Sequence, residues 1–349
     1  MSEKIKNIFL TGASGFIGCN IARKLVLEGY NVHVLVRKSS NLLGIKDLPV
    51  KIFYGDLNDK HSIESAMKGC NICIHTAAVY SFWEKNKDIF FKTNVEGTKN
   101  VLEVAKNLNI EKIIYTSSES TVKLLNNFNN GYDGYNNSYN SYNNYDPDYS
   151  KLNDINDVYG DYKKTKILAE IEVNKYIQQG LPIVIIAPTT PIGSWDIKPT
   201  PTGKIVLDFL RGKMPAYINT GLNIIDVEDV ALAHILAIKK GVIGKKYIAG
   251  NKNLTLKQIF EILSSITKIK SPSIQIPFWL ALGIGYIDEL ISAKILKKQP
   301  NIPVCAVKSA SKFRFFNCIE SVKELGLTLN PIENAFEKSV KWFKDYGYV

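Results

Sequence analysis

Two Tyr–Lys pairs share one short stretch, DVYGDYKKTKILAE, residues 157–170: Tyr159 stands four positions before Lys163, and Tyr162 four before Lys166. Side chains at that spacing lie on one face of a helix, so either pair could work as an acid/base couple. A phenol titrates at about 10 and alone is poorly matched to neutral pH. An ammonium one turn away stabilises the phenolate and lowers that value. Either pair could equally be two surface residues of a basic helix, and Gly160 inside the first frame weakens a helix there.

A second candidate chemistry lies at the N-terminal end. TGASGFIG places Gly12, Gly15 and Gly18 between an apolar strand and an amphipathic helix. Gly12 and Gly15 allow a tight turn in which backbone N–H groups approach a pyrophosphate. Gly18 permits close helix–strand packing, and the helix N-terminus favours the phosphate charge. Ser14, Phe16 and Ile17 complete that turn. The next strand ends in VLVRKSS, offering Arg37 where an NAD-specific site usually carries an acid; a guanidinium suits a 2′-phosphate, so NADP(H) is favoured over NAD(H). GDL (55–57) adds Leu57 and Asp56, a carboxylate able to accept from an adenine amino group. HTAA adds the small residues Ala77 and Ala78 beside the cofactor.

The elements that must position these residues are legible as a pattern. IKNIFL (5–10), VHVLV (32–36), KIFYGDL (51–57), NICIHTA (71–77), KIIYTSS (112–118) and PIVIIAP (182–188) read as buried strands, with helical periodicity at 17–28, 62–68, 96–108 and 162–179. Strands that alternate with helices and are apolar on both faces predict an α/β fold, a Rossmann-type doubly wound parallel sheet. Residues 1–195 are assigned to this dinucleotide-binding domain and 196–349 mainly to a smaller C-terminal α/β substrate lobe. KKYIAG (245–250) is expected to return to the main sheet. DIKPTPTGK (196–204) reads as a Pro-rich connection, and IENAFEKSVKWFKD (332–345) as an amphipathic helix. Residues 126–146 hold nine Asn, five Tyr and two Gly and cannot bury an apolar face; they are expected to form a disordered or mobile insertion.

Composition sets outer bounds. A chain of 349 residues that is 45% apolar and 22% charged describes a globular protein. Its net charge of +11 comes from dispersed Lys, with four Arg (Arg23, Arg37, Arg211, Arg314) and no basic block interleaved with aromatics, so no nucleic-acid groove is expected. The most apolar run, IPFWLALGIGYI (276–287), is too short to span a bilayer, and a cytoplasmic location is the simplest expectation. Cys70 and Cys73 form a CxxC in GCNICIHTAA, whose second half reads as a buried strand, a structural rather than a metal or redox pair. His75 is expected in a strand core and His234 on a helix surface.

With TGASGFIG, GDL, HTAA, TNVEGT (93–98), YTSS and YKKTKILAE in this order, the chain resembles the extended short-chain dehydrogenase/reductases, the NAD-dependent epimerase/dehydratase family, and within them the dihydroflavonol-reductase-like branch. PTTPIGSWDIKPTPTGK, FLRGKMPAY, TGLNIIDVEDVALAH and WFKDYGYV extend the resemblance to the sugar epimerases associated with hopanoid biosynthesis. It selects Tyr162–Lys166, because the family's Tyr-x-x-x-Lys carries Ser or Thr just before the Lys and Ala-Glu soon after. It implies that Lys166 holds the nicotinamide ribose and that Ser118 in YTSSES steadies the substrate oxygen, with Ser117 the near alternative. Pro188 and Thr189 match the stretch bordering the nicotinamide, and Asn94 a recurrent polar position. The implied function is NAD(P)-dependent hydride transfer to or from a small carbonyl/alcohol substrate, or epimerisation of a sugar nucleotide with tightly held NAD. A dinucleotide sensor is the non-catalytic alternative. Relatives often pair as homodimers. Arg211 and Arg314 are the arginines of the C-terminal lobe on offer to a nucleotide diphosphate, and Asp226 stands where relatives carry a neutral residue or His.

Overall fold

The computed structural model describes residues 6–122 and 154–349; the Asn/Tyr-rich stretch lies outside them. The first half runs β1 (Asn7–Thr11), α1 (Phe16–Leu27), β2 (Asn31–Val36), β3 (Lys51–Tyr54), α2 (Lys60–Met67), β4 (Ile72–His75), α3 (Asp88–Phe91), α4 (Gly97–Asn107), β5 (Lys112–Thr116), α5 (Asp161–Gln178) and β6 (Ile183–Pro188). There follow β7 (Thr190–Ile192), α6 (Pro201–Leu210), β8 (Ala216–Tyr217), β9 (Gly221–Asp226), α7 (Val227–Lys240), β10 (Lys246–Ala249), β11 (Lys252–Thr255) and α8 (Leu256–Thr267). The last elements are β12 (Ile274–Gln275), α9 (Phe278–Glu289), α10 (Val304–Ser309), α11 (Ile319–Leu325) and α12 (Ile332–Asp345).

Seven strands form one parallel sheet in the order β3-β2-β1-β4-β5-β6-β10. The residues of β4 and β6 are all buried, which is why their sequences run apolar without alternation. One layer of core joins α1 and α7 to the sheet through Ile21, Leu25, Val230 and Ile235. The opposite layer joins α2, α4 and α5 through Ile63, Val101, Leu102 and Val173. The order reverses between β1 and β4, so a crevice opens above their C-terminal ends, where such sheets take ligands.

The strands after β2 stop earlier than the sequence reading placed them, at Tyr54, His75 and Thr116. The residues dropped, GDL, TA and SS, turn out of the sheet into the crevice. β10 does return to the sheet beside β6, and α7 packs on α1, so the second half of the chain completes the first domain's sheet and one helix layer. The Pro-rich connection is only partly a connection. Thr200 caps α6 by accepting from the Gly203 amide, and Pro201 takes the first helical position, where its missing N–H costs nothing.

The C-terminal lobe gathers α6, α8 and α12 around the small sheet β11-β9-β7. In α12 the positions expected to be apolar, Ala335, Phe336, Val340, Trp342 and Phe343, are all buried. Glu170 on α5, which is completely buried, ties that helix to the main sheet: it accepts from the Ser117 hydroxyl and pairs with the buried Lys246 ammonium of β10.

Removing one member of such a pair leaves an uncompensated charge in the interior. Lys246→Met should therefore destabilise the protein by roughly 3–5 kcal/mol in urea unfolding, and Glu170→Gln/Lys246→Met should recover a large part of that loss. Equal stability of Lys246→Met and the parent chain would contradict the pair's role.

Candidate active site

The dinucleotide turn has little room for side chains. Gly12 has φ +77°, and a Cβ there would lie 2.7 Å from the Ala77 amide nitrogen, so the turn presses directly against the chain leaving β4. A Cβ on Gly18 would fall 2.0 Å from the Gly12 carbonyl oxygen, which ties the first turn of α1 to the end of β1. Gly15 stands at the N-cap of α1, its amide bonded back to the Gly12 carbonyl at 2.9 Å. No side chain caps this helix, so its first amides face the crevice with the helix dipole behind them. These residues fit a pyrophosphate.

Arg37 lies just past β2, whose Leu35 is in register with Thr11 of β1. The guanidinium is exposed and carries no ion pair among the described residues. Asp56 follows β3 with one carboxylate oxygen committed to the Asn58 amide at 2.9 Å and its side chain at 2.8 Å. Leu57 is buried, Ala77 and Ala78 are half-buried at the switch point, and Pro188 is buried at the end of β6. The sequence-predicted cofactor residues thus line one edge of the sheet.

Tyr162 and Lys166 are both on α5, which begins at Asp161 after Gly160 with φ +94°. Tyr159 therefore lies outside the helix, its exposed ring near the Lys308 ammonium, and it does not share a helical face with Lys163. Tyr162 packs against Tyr80 with the rings tilted at 50° and a centroid distance of 4.7 Å. Burial pushes the Tyr162 phenol up to about 12, and a hydrogen bond with Ser118 opposes that rise. Of the two serines after β5, Ser118 is the one beside Tyr162. Ser117, one residue earlier and turned the other way, is bonded to Glu170.

Lys166 is 4% exposed. Its Nζ donates to the Thr116 carbonyl at 2.7 Å and to the Tyr115 hydroxyl at 3.1 Å. Burial lowers its ammonium to about 8, with Glu170 one turn further on acting in the opposite sense. The expectation that Lys166 lowers the Tyr162 pKa is corrected here. Its charge is directed to β5, and burial governs the phenol, which stays protonated through neutral pH.

Around this centre several groups are structural. Asn94, in a one-turn π-helical segment (Lys92–Glu96), accepts from the Val79 amide at 2.7 Å and donates to Thr165 at 3.0 Å, clamping the loop after β4 to α5. His75 is a strand-core residue as expected, bridging Thr11 and Thr98, with burial lowering it to about 3. His234 is not on a helix surface. The turn of α7 that carries it faces the sheet, so the ring is wholly buried between the Val230 carbonyl and the Thr116 hydroxyl, and burial lowers it to about 4. Cys70 and Cys73 are free thiols.

Neither arginine of the C-terminal lobe is on offer to a diphosphate. Arg211 donates to the Tyr348 carbonyl, and Arg314 is held by the Glu119 carboxylate. Asp226 caps α7 and pairs with Lys338 at 2.9 Å. Tyr80, Tyr115 and Glu170 were missed as site neighbours. Glu170 could have been found, being four residues after Lys166 on the same helix face.

Comparison with known proteins agrees with this geometry. The family model described as "NAD dependent epimerase/dehydratase family" matches residues 8–250. A protein of Synechocystis sp. named "Putative dihydroflavonol 4-reductase" is 39% identical over 345 residues, 98% of this chain and 95% of its own length. "Sterol demethylase protein B" of Methylococcus capsulatus is 27% identical over 341 residues, 97% of this chain and 99% of its own. The crystal structure of gox2253 superimposes with a TM-score of 0.83 at 34% identity, covering 99% of both chains. The chain belongs to the NAD-dependent epimerase/dehydratase family of extended short-chain dehydrogenase/reductases, and it is an NAD(P)-dependent enzyme.

Gly18→Ala should weaken dinucleotide binding at least roughly tenfold in a fluorescence titration, because the turn must open to admit the methyl group. Unchanged affinity would show that the close approach of α1 to β1 does not shape the site.

Proposed function

We propose that the protein is an NADP(H)-dependent reductase or dehydrogenase of a small carbonyl/alcohol pair. The observation that carries this reading is Tyr162 in the first turn of α5, kept protonated by burial and set beside Ser118 at the C-terminal edge of the sheet. The bound nicotinamide supplies or takes the hydride. Everything else is done by the chain.

Ser118, whose hydroxyl also accepts from Ser120, orients the substrate oxygen toward the phenol. Tyr162 donates its proton to that oxygen as negative charge develops on carbonyl reduction, and takes it back in the alcohol-to-ketone direction. The ammonium of Lys166, held against the end of β5, supplies donors for a ribose hydroxyl. Arg37 supports a preference for the 2′-phosphorylated dinucleotide, since its exposed guanidinium is in no ion pair among the described residues and follows β2, the strand beside β1. The reductase reading is favoured over a nucleotide-sugar epimerase because Arg211 and Arg314 are both engaged within the protein. The relatives named for a dihydroflavonol and a sterol support ring-bearing, largely apolar substrates.

A dihydroflavonol and a ketosteroid, each with NADPH, are the probes for activity. With whichever turns over, Tyr162→Phe should lower kcat at least roughly a hundredfold while dinucleotide affinity is kept. Ser118→Ala should do the same with little change in Tm. Ser117→Ala should instead lower stability by roughly 1–3 kcal/mol, since it strips a partner from the buried Glu170. Full turnover by Tyr162→Phe would overturn the assignment.

The alkaline limb follows from Lys166. It is charged below its value of about 8 and neutral above it, so reduction should slow as pH rises through about 8. Tyr162, at about 12, remains a proton donor across that range. A rate flat to pH 10 would remove Lys166 from the mechanism.

A further inference from the structure

The helix α9 has its polarity inverted. A surface helix of a globular protein normally buries its large apolar side chains and exposes polar ones. In α9 the buried residues are Ala281 and Gly285, and in the π-helical continuation Leu290–Ile295 the buried residue is Ser292. This stripe of small residues packs on α10, where a Cβ on Gly285 would meet Val307 at 3.5 Å and Val304 at 3.7 Å. The large side chains point the other way: Trp279 is 71% exposed, Ile287 61% and Ile295 67%, and Tyr286, Leu290 and Ile291 are exposed with them. The Lys308 ammonium reaches the edge of this face, 5.7 Å from the ring of Tyr286.

The charges around the face identify what it meets. Lys268 and Lys270 precede it, Lys294, Lys297 and Lys298 end it, and all five are exposed and outside any ion pair among the described residues. Between Lys270 and Lys294 stand two acids. Asp288 is consumed internally, accepting from Ser292 at 2.8 Å and from the Ile302 amide at 2.6 Å, and Glu289 is half-buried. A second copy related by a two-fold axis would bring these lysines against the same lysines. An anionic bilayer instead offers negative charge at the rim and hydrocarbon at the centre, and Trp and Tyr favour its interface.

We propose that α9 and the turn after it lie in the plane of an anionic membrane surface, with the Trp279–Ile287–Ile295 face in the headgroup/acyl boundary. This is peripheral attachment. No helix among the described residues is long and apolar enough to cross a membrane, and single in-plane helices of this kind bind reversibly. Lys308 on α10 links α9 to the entry of α5, lying 5.7 Å from the ring of Tyr286 and 5.9 Å from that of Tyr159.

The test is co-sedimentation of the full chain with vesicles of phosphatidylcholine, with and without phosphatidylglycerol, alongside light scattering of the protein alone. The expected result is binding to the phosphatidylglycerol vesicles that weakens with salt and falls at least roughly tenfold in Trp279→Glu/Ile287→Glu. Because both positions are exposed, that variant should keep its Tm and dinucleotide affinity. The control Leu27→Glu, at an equally exposed apolar site on α1, should bind as the parent does. Failure of the parent chain to bind, or equal binding by the double variant, overturns the proposal. A dimer that dissolves in the double variant, without vesicle binding by the parent, would assign the face to a second copy and also overturn it.

Discussion

A lysine ammonium at 4% exposure is the constraint around which this site is arranged. Burying such a charge is costly unless it is hydrogen-bonded and compensated. Lys166 meets those requirements by donating to the Thr116 carbonyl and the Tyr115 hydroxyl at the end of β5, with Glu170 one turn along the same helix. Glu170 must then be compensated in its turn, and Ser117 and Lys246 do so. The chain of contacts runs from β5 through α5 to β10, which begins at Lys246, eighty positions beyond Lys166. It fixes α5 against the sheet in rotation as well as height, and so places Tyr162 beside Ser118 and against Tyr80. Ser117 and Ser118 acquire different roles because successive residues leaving a strand turn to opposite sides.

Much of this was legible in the sequence because it depends on local rules. The glycine spacing in TGASGFIG anticipates contacts that the geometry makes quantitative: a Gly18 Cβ would fall 2.0 Å from the Gly12 carbonyl oxygen. The Tyr162 frame was chosen over the Tyr159 frame by the family resemblance, and Gly160, which weakens a helix in the latter, has φ +94°. The apolar strands were recognisable because a parallel sheet covered on both faces has no polar side. Their ends were not, since GDL, TA and SS continue the apolar or small-residue pattern while turning toward the crevice.

What the sequence could not show was pairing across long separations. Arg314 looked available to a phosphate, yet its partner Glu119 lies 195 positions away. His234 was expected on a helix surface, but helix α7 turns that residue toward Thr116, 118 positions earlier. The effect of Lys166 on Tyr162 was misjudged for a related reason. Helical spacing sets which face a side chain leaves from, while its final direction depends on which acceptors the neighbouring strand presents. The apolar run in α9 was read correctly as too short to span a bilayer, but its inverted packing appears only when Ala281 and Gly285 are seen to face α10.

The central claim is that this crevice takes a 2′-phosphorylated dinucleotide and exchanges it with solvent during turnover. Fluorescence titration of the purified chain with NADPH and with NADH tests it most directly, after a check for dinucleotide that copurifies. Tight, reversible NADPH binding with markedly weaker NADH binding is the predicted result. Retained NAD that does not exchange would contradict it and point to an internal redox cycle, and binding of neither would remove the basis for the enzyme assignment at this site.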